Sequence, residues 1–314
     1  MPARTPSRSL APASASLADV IAIFGPTASG KSAVAEAIAD RIPADLVSAD
    51  SMQVYRGLPI LTNQPERPTR LVAIWPLDHE ASVGEFQALA HEVVDEILAA
   101  GRTPIVVGGT GLYLRAALTS LRLPPPPAPG VRERWEEFYD AHGPVHAHGR
   151  LQALDPEAAA AVHPNDRRRI VRALELAEAG ESLAGDKLWE EDYRHPSVLV
   201  GLEVPPDELE RRIEERTRAM FEAGVEEEVE KALAAPVSST ARRMLGLDEV
   251  ASLPREEAIR ALVVRTRRYA AYQRKWLRRS PGAVSVRANR PAAEVADEIL
   301  EVARARECVP RRRG

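Results

Sequence analysis

The sequence predicts an α/β fold: a doubly wound parallel sheet with a helical insertion and a helix-rich C-terminal part. Two observations favour this fold class. Short β-branched apolar runs alternate with longer segments in which apolar residues recur at helical spacing, and the first run leads directly into a glycine-rich loop, GPTASGKS. The chain of 314 residues is 45% hydrophobic and 28% charged, which suits one large core that carries an insertion.

Four short apolar runs predict buried parallel strands, because they are β-branched and end near Gly, Asp or Pro. They occupy residues 20–24, 45–49, 103–109 and 197–204. One helix is predicted after the glycine-rich loop, in SAVAEAIADRI. Another is predicted in EFQALAHEVVDEILAAGR, which ends at a glycine as many helices do. Strands and helices therefore alternate through the first part of the chain.

The run PPPPAPG, residues 124–130, interrupts this alternation. The sequence after it, up to about residue 193, predicts only helices, in RERWEEFYDAH, LDPEAAAAV and PNDRRRIVRALELAEAG. We therefore predict a helical insertion at residues 124–196, within a core formed by residues 18–123 and 197–314.

The C-terminal part of the core is rich in predicted helix. Residues 206–233 open with Pro and Asp as a start signal, and residues 255–279 follow as a second long helix. GAVSV, residues 282–286, predicts a last strand before a final helix at about residues 292–306.

The first residues of the chain do not predict a folded element. Residues 1–17 are rich in Ala, Ser, Pro and Arg and predict a disordered tail. Asp19 precedes the first apolar run, which continues into the glycine-rich loop, so we expect no secretory leader. No apolar run approaches the length of about 20 residues that spans a bilayer. Cys308 is the only cysteine, which excludes a disulfide framework and favours a reducing, cytoplasmic setting.

The charge is unevenly distributed. A net charge of −4 argues against a nucleic-acid partner, because phosphate binding depends on Lys and Arg. Basic residues nevertheless cluster in residues 167–172, 265–279 and 311–313, so an acidic body could carry one positive face. The alternative is that each cluster is an ordinary solvated helix face, and for any single cluster this is the favoured interpretation.

The glycine-rich loop predicts an anion site. GPTASGKS fits the pattern Gly, four residues, Gly, Lys, Ser or Thr, between a predicted strand and a predicted helix. Its backbone amides could wrap a phosphate at the positive end of the helix, with Lys31 on the terminal phosphates and the Ser32 hydroxyl on Mg²⁺. The loop favours a P-loop NTPase-like fold but does not distinguish a nucleoside triphosphate from another diphosphate ester. The predicted diphosphate-binding residues are Gly25, Pro26, Thr27, Ala28, Ser29, Gly30, Lys31 and Ser32.

Two further segments are predicted beside this loop. Asp50 follows the second strand, and the carboxyl ends of strands in a doubly wound sheet open onto one crevice. The segment GGTGLY leaves the third strand in the same direction and places Thr110 between glycines that could allow close approach of a ligand. We therefore expect Asp50 and Thr110 opposite the phosphates.

Five segments together resemble one family. GPTASGKS, DSMQVYRG, VGGTGLYLRAAL, HPNDRRRIVRALE and RIEERTRAMFEAGVEEEV occur in the order and spacing of the tRNA dimethylallyltransferases, also called tRNA isopentenyltransferases, and the resemblance runs from about Ile21 to Arg279. It implies transfer of a dimethylallyl group from dimethylallyl diphosphate to N6 of the adenosine immediately 3′ of the anticodon, in tRNAs that read codons beginning with U. The phosphate loop would then hold a prenyl diphosphate and not ATP.

The resemblance also implies roles for individual residues. Asp50 would accept the proton of the adenine amino group as the new bond forms. Lys31, Ser32 with Mg²⁺, Thr110 and Arg216 would stabilise the leaving diphosphate. From sequence alone, an arginine such as Arg216 on an amphipathic helix is an ordinary surface ion-pair residue, so its role depends on the resemblance.

The tRNA contacts follow from the same resemblance. The target base must leave the stacked anticodon loop to enter a pocket. We expect a monomer that binds the anticodon stem-loop of tRNA. The residues that match tRNA-contacting positions are Asp50, Ser51, Met52, Gln53, Thr110, Arg132, Arg168, Arg169, Ile170, Val171 and Arg172.

The sequence departs from the family pattern in three segments. Where the family has DIGTxKP, this chain has PILTNQP, which removes a lysine from a loop near the site. GLDE replaces GY(K/R)E, and a Lys-Arg pair before the Gln and Trp of the late helix is absent. The residues that stand at the changed positions are Leu61, Gln64, Leu247, Asp248, Ala271 and Tyr272.

Two other classes of function stay open at this point. In a small-molecule or nucleotide kinase, Asp50 would activate a hydroxyl and the insertion would be a lid. In a non-catalytic RNA-binding protein the phosphate loop would have decayed, which the presence of Lys31, Ser32 and Asp50 argues against.

Histidines and tryptophans give weaker signals. His142, His146 and His148 lie among Gly and Pro and without nearby cysteines, so a polar loop is predicted and no zinc is assigned. Trp135 and Trp276 fall on predicted helices, where packing is the more common role.

Overall fold

The computed structural model describes residues 19–123, 128–182 and 192–307. The predicted tail at residues 1–17, Cys308 and the basic run at residues 311–313 lie outside the described residues. The chain divides into two compact units, with boundaries after Ser120 and after Glu190. The discontinuous unit on either side of these boundaries is called the core unit, and the segment between them is called the insertion unit.

The core unit is built on a six-stranded sheet. Its strands are β1 Val20–Phe24, β2 Ala44–Ser48, β3 Thr69–Arg70, β4 Thr103–Gly108, β5 Ser197–Glu203 and β6 Val284–Arg287. Their order is β3-β2-β4-β1-β5-β6, and every pairing is parallel. The predicted parallel, doubly wound sheet is therefore confirmed. The two-residue β3 was not predicted, because it contains only Thr and Arg and gives no apolar run.

The predicted helices occur in the expected order. The helices of the structure are α1 Lys31–Ala39, α2 Val83–Ala99, α3 Gly111–Leu118, α4 Val131–Leu154, α5 Pro156–Ala161, α6 Arg167–Glu178, α7 Pro206–Glu222, α8 Val225–Leu233, α9 Ser239–Arg242, α10 Leu247–Ser252, α11 Arg255–Arg279 and α12 Ala292–Glu307. Of these, α3, α9 and α10 are present in addition to the predicted helices. The single helix predicted over residues 206–233 is divided into α7 and α8, because Gly224 adopts a left-handed conformation (φ 90°) that ends a helix.

Burial of the strands explains their unbroken apolar sequences. All residues of β1 are buried, and this strand pairs with β4 on one side and β5 on the other. Helices α1 and α12 pack against each other and against strands, and α2 and α3 form a second packed pair. Because helices cover the parallel strands, apolar residues occupy successive positions instead of alternating with polar ones.

The insertion unit has its own core, in which α4 packs against α5 and α6. Its buried residues include Tyr139, Leu151, Ile170 and Leu174. Apolar residues at helical spacing on α4 and α6 thus bury one face of each helix and leave the charged residues outside.

One helix of the insertion unit differs from the prediction. Gly143 is non-helical (φ 79°, ψ 169°), and the helix resumes at once at Pro144, which suits the first turn of a helix because its missing N–H is not needed there. The polar loop predicted for the three histidines is therefore wrong, since they lie on α4. The ring nitrogens of His142 and His148 lie 3.0 Å from the carbonyl oxygens of Phe138 and Ala159, respectively.

Among the described residues, no helix is both long and apolar enough to cross a membrane.

Candidate active site

The glycine-rich loop connects β1 to α1, as predicted. Gly30 adopts a left-handed conformation (φ 87°) immediately before Lys31 begins the helix. The Lys31 ammonium turns back over the loop and donates hydrogen bonds of 2.9 Å to the carbonyl oxygens of both Gly25 and Pro26. The sequence thus folds into a tight loop at a helix N-terminus, which is a favourable place for an anion.

Asp50 lies at the carboxyl edge of the sheet, two residues beyond the end of β2. Its Oδ1 accepts a hydrogen bond of 2.9 Å from the amide of Met52. The end of β4 comes very close at this point: a Cβ on Gly108 would lie 2.3 Å from the carbonyl oxygen of Ala49. Only glycine therefore lets the segments that follow β2 and β4 lie side by side.

The charges of Lys31, Asp50 and Arg216 act on one another. Burial lowers the pKa of Lys31 to about 8, an effect that Asp50 opposes and Arg216 reinforces. Burial raises the pKa of Asp50, although the Met52 amide and the Lys31 charge oppose the change. Burial also lowers the pKa of Arg216. The predicted trio is thus brought together, and burial disfavours each of its charges.

Arg216 is not the surface ion-pair residue that its helix alone would indicate. Its Nε is buried and makes no hydrogen bond within the described part of the chain. The site therefore holds two cations and one carboxylate, with donor capacity left over. Perturbed charges in such a setting indicate a ligand site, and the excess of positive charge favours an anionic ligand.

Thr110 connects this site to a distant helix. It precedes α3, and its Oγ1 accepts a hydrogen bond of 3.2 Å from the amide of Ser51. The Ser51 hydroxyl lies 3.1 Å from the same oxygen, and the hydroxyl of Tyr269 on α11 lies 3.3 Å from it. Burial raises the pKa of Tyr269, which stays protonated. Thr110 thus holds the segment after Asp50 in place.

The chain can now be compared with known proteins. A family model described as IPP transferase matches residues 53–280, and one described as isopentenyl transferase matches residues 18–70. The first match alone covers more than half of the chain. The chain belongs to the IPP transferase family. The resemblance drawn from the five motifs is therefore confirmed.

Bacterial relatives of this IPP transferase cover most of its length. The tRNA dimethylallyltransferase of Thermobifida fusca (strain YX) is 41% identical over 283 residues, which span 84% of this chain and 88% of that protein. The tRNA dimethylallyltransferase of Streptomyces coelicolor (strain ATCC BAA-471 / A3(2) / M145) is 44% identical over 276 residues, which span 83% and 88%. The similarity thus includes both the core and the insertion.

The fold is also similar to those of solved structures. The full-length tRNA isopentenylpyrophosphate transferase from Bacillus halodurans matches with a TM-score of 0.66 and 31% identity, covering 92% of this chain and 97% of that one. A eukaryotic dimethylallyltransferase acting on tRNA matches with a TM-score of 0.71 and 25% identity, covering 86% and 73%. The P-loop NTPase-like fold predicted for this IPP transferase is therefore confirmed.

The glycines around Thr110 serve a different purpose from the predicted one. A Cβ on Gly109 would lie 2.4 Å from Nε2 of Gln273, and a Cβ on Gly111 would lie 2.1 Å from the indole of Trp276. These glycines therefore admit protein side chains from α11, which corrects the expectation that they make room for a ligand. The packing role predicted for Trp276 is confirmed.

Sequence reasoning missed two residues of the site, Gln273 and Tyr269. The Gln273 amide accepts a hydrogen bond from the Thr27 amide and donates one to the carbonyl of Gly109, so the amide of Thr27 is already bonded within the protein. No local pattern marks either residue. Only the family's Gln and Trp in the late helix pointed to this region.

The segment after Asp50 was predicted to contact tRNA. Both polar atoms of the Gln53 side chain bind the protein: Oε1 accepts from the Ser48 hydroxyl at 2.9 Å, and Nε2 donates to the Asn63 carbonyl at 2.8 Å. Ser51 and Met52 are partly exposed beside Asp50. Among Ser51, Met52 and Gln53, it is therefore Gln53 whose side-chain polar atoms are both hydrogen-bonded within the protein.

Two of the predicted tRNA contacts in the insertion unit, Ile170 and Val171, need correction. Ile170 and Val171 are 0% and 3% exposed, so their side chains belong to the core of this unit and cannot contact an RNA. Arg132 and Arg172 both bind the buried carboxylate of Glu175, at 2.7 and 2.9 Å. Although burial opposes them, these bonds hold the pKa of Glu175 below its ordinary value.

The remaining arginines of α6 are of two kinds. Arg167 binds both carboxylate oxygens of Asp140, at 2.8 and 2.7 Å. Arg168 and Arg169 are exposed, and residues 19–123, 128–182 and 192–307 offer neither of them an ion pair. Consecutive residues fan over a wide arc of a helix, so this difference follows from their positions on α6.

Some departures from the family pattern have internal partners. Leu61 and Leu247 are buried, and the side chain of Gln64 donates a hydrogen bond of 2.8 Å to the carbonyl of Tyr55. Tyr272, in contrast, is 54% exposed on α11. Leu61, Gln64 and Leu247 thus stabilise the loops around the site from within the protein.

Proposed function

We propose that the protein transfers a dimethylallyl group from dimethylallyl diphosphate to N6 of the adenosine immediately 3′ of the anticodon, in tRNAs that read codons beginning with U. The products are N6-dimethylallyladenosine and diphosphate. One observation carries the proposal: in a chain of this family, Asp50, Lys31 and Arg216 share one partly buried site at the carboxyl edge of the sheet.

Asp50 supplies the base for this reaction. The amino group of adenine is conjugated with its ring and is a poor nucleophile. As the bond from N6 to the allylic carbon forms, the bond from that carbon to the diphosphate oxygen breaks, and the electron pair leaves with the diphosphate. The proton of N6 passes to Asp50. Burial raises the pKa of this carboxylate, which strengthens it as a base.

The diphosphate gains charge as it leaves. Lys31 and Arg216 present two cations, and Thr110 would add a hydroxyl. Cations and donors aimed at developing charge favour the transition state over the ground state. The helix N-terminus at Lys31 acts in the same direction.

Mg²⁺ is the proposed cofactor, and the residues at the loop fit it. Ser32 offers a hydroxyl in the first turn of α1, and a cavity of about 30 Å³ beside it is also lined by Glu36, Ser48 and Gln53. The described residues contain no group of three His, Cys, Asp or Glu side chains that could hold a metal. A cation that relies on one hydroxyl, waters and substrate phosphates is the usual case for Mg²⁺. When bound, it would neutralise charge on the diphosphate.

The RNA contacts are proposed on the same basis. The adenosine must leave the stacked loop to reach Asp50, so Ser51 and Met52 would meet it first. In the insertion unit, Arg168 and Arg169 would contact phosphates. A monomeric state and a cytoplasmic location stay predictions from the sequence.

The test is to incubate the purified protein with radiolabelled dimethylallyl diphosphate, Mg²⁺ and total tRNA and to measure label in the RNA. We expect label in the wild type and none without Mg²⁺. Absence of label from the RNA, together with ATP consumption in the absence of RNA, would instead support the kinase interpretation. Nuclease digestion of the labelled RNA identifies the modified base.

A further inference from the structure

Gln273 occupies a position between two loops of the site. Its side-chain oxygen accepts a hydrogen bond of 2.7 Å from the backbone amide of Thr27, in the phosphate loop. Its side-chain nitrogen donates a hydrogen bond of 2.8 Å to the backbone carbonyl of Gly109, next to Thr110. The residue is only 2% exposed. The side-chain amide of Gln273 thus joins the segments that follow β1 and β4, which are neighbouring strands.

The bonds fix the orientation of this amide. The oxygen can only accept and the nitrogen can only donate, so reversing the amide would break both bonds. The fit is also close, since a Cβ on Gly109 would lie 2.4 Å from Nε2 of Gln273 and 3.7 Å from Oδ2 of Asp50. Nε2 of Gln273 and the carboxylate of Asp50 therefore both lie next to Gly109.

The helix that carries Gln273 is well anchored. On α11, Ala270 and Leu277 are buried one turn before and one turn after it. Trp276 packs against Gly111, at the start of α3. Because packing before and after Gln273 fixes α11 in place, it also fixes the position of the Gln273 amide between the two loops.

We propose that Gln273 is a positioning residue for group transfer: it sets the distance between the loop that holds the diphosphate and the segment that holds Thr110 and Asp50. This inference rests on the proposed function. The bond from carbon to oxygen breaks on the side of the phosphate loop, and the proton leaves on the side of Asp50. A misplacement of about 1 Å between such groups can slow a reaction about a hundredfold.

The sharpest test combines two substitutions of similar size. Gln273→Met removes both hydrogen bonds and adds no charge. Gln273→Glu keeps an acceptor for Thr27, but when ionised it sets an oxygen against the carbonyl of Gly109. When protonated, the glutamic acid regains a donor and can restore both bonds.

We expect Gln273→Met to lower kcat for transfer to tRNA by about ten- to a hundredfold at every pH. Its affinity for inorganic diphosphate with Mg²⁺, measured by calorimetry, should change less than about threefold, because the phosphate loop itself is intact. For Gln273→Glu, the ratio of its kcat to that of the wild type should rise at least about tenfold between pH 8 and pH 6, as the side chain takes up a proton.

Two results would overturn the inference. One is a Gln273→Met variant with wild-type kcat, which would assign any defect of Gln273→Glu to its charge alone. The other is an equal loss in Ala270→Gly, which weakens α11 but leaves both bonds, and which we expect to keep wild-type kcat below its melting temperature. Failure of the wild type to label tRNA would refute the proposed function instead, so the two failures are distinguishable.

Discussion

The carboxyl edge of the sheet in the core unit and the surface of α4 and α6 in the insertion unit both concentrate cations, but they treat them in opposite ways. In the core unit, Lys31 and Arg216 are partly buried, and Asp50 is the carboxylate whose charge acts on both. In the insertion unit, Arg132 has the carboxylate of Glu175 and Arg167 has that of Asp140. The core unit leaves positive charge in excess, whereas the insertion unit neutralises the charges of Arg132 and Arg167.

This difference indicates which arginines bind ligands. A buried cation without sufficient counter-charge lowers stability and is retained where a ligand completes it. A paired cation at the surface contributes little to stability or to binding. Clusters of basic residues in the sequence therefore overstate the RNA-binding surface. A cation whose polar atoms are buried without a partner identifies the site better than the number of basic residues does.

The largest effect is expected for the carboxylates of the two regions. Asp50→Asn keeps the size of the side chain but cannot take up the proton, so we expect turnover to fall at least about a hundredfold while tRNA binds nearly as before. Asp140→Asn, which breaks the pair with Arg167, should keep turnover within about twofold. Single-turnover transfer of labelled dimethylallyl groups measures both. Wild-type turnover of Asp50→Asn would remove this residue from the mechanism.

A second pair of variants compares an arginine of the core-unit site with an arginine of the insertion unit that is paired with a carboxylate. Arg216→Gln removes a charge aimed at the leaving diphosphate, and we expect kcat to fall about 10²- to 10³-fold. Arg132→Gln should lower kcat less than about threefold, since its charge is already satisfied by Glu175. Steady-state kinetics with saturating tRNA separate the two. Similar losses in both variants would break the contrast between the two regions.

The pKa of Lys31 sharpens the comparison, because the paired arginines cannot titrate in the same range. Lys31 is charged below its pKa of about 8 and binds an anion best there. As pH rises through 8, affinity for inorganic diphosphate with Mg²⁺ should fall, by at most about tenfold per pH unit. The last ionisation of inorganic diphosphate falls in the same range, so the comparison with Lys31→Arg, whose side chain stays charged, isolates the contribution of Lys31. Calorimetry from pH 7 to 9 measures the trend, and Lys31→Arg should flatten it.

The smallest effect is expected at the exposed arginines of α6. Replacing Arg168 and Arg169 by Ala should weaken tRNA binding several-fold and reduce the slope of log affinity against log salt by about 1.5, as for two lost phosphate contacts. Arg167→Ala, at the arginine bound by Asp140, is the matched control and should leave the slope nearly unchanged. Filter binding at several salt concentrations measures all three proteins. An unchanged slope in the double variant would exclude α6 as the phosphate-binding surface.

The sequence predicted the parts of the site that lie at strand ends. Lys31 lies at the end of the loop after β1 and Asp50 lies just beyond β2, and parallel strands bring their carboxyl ends to one edge, so local motifs were sufficient. Gln273 and Tyr269 were not predicted, because their partners lie 246 and 159 residues away in the chain. Such contacts depend on how α11 packs in the folded core unit, which no local sequence pattern encodes.

Local signals also failed where one residue type suits two structures. Gly143 and Pro144 are typical of a loop, but a left-handed Gly can end one helical segment and Pro can begin the next. The motif HPNDRRRIVRALE predicted RNA contacts for a continuous run of residues. Helical periodicity instead buries Ile170 and Val171 and exposes Arg168 and Arg169.

The pairing of β1 with β5 has a consequence for synthesis of the chain. Residues 20–24 must stay without one of their two neighbours until residues 197–201 have left the ribosome, and the amide of Thr27 meets Gln273 only later still. The insertion unit is continuous in sequence and can fold while the nascent chain is still growing. The hydrogen bond that joins the phosphate loop to α11 is therefore among the last contacts of the site that can form during synthesis.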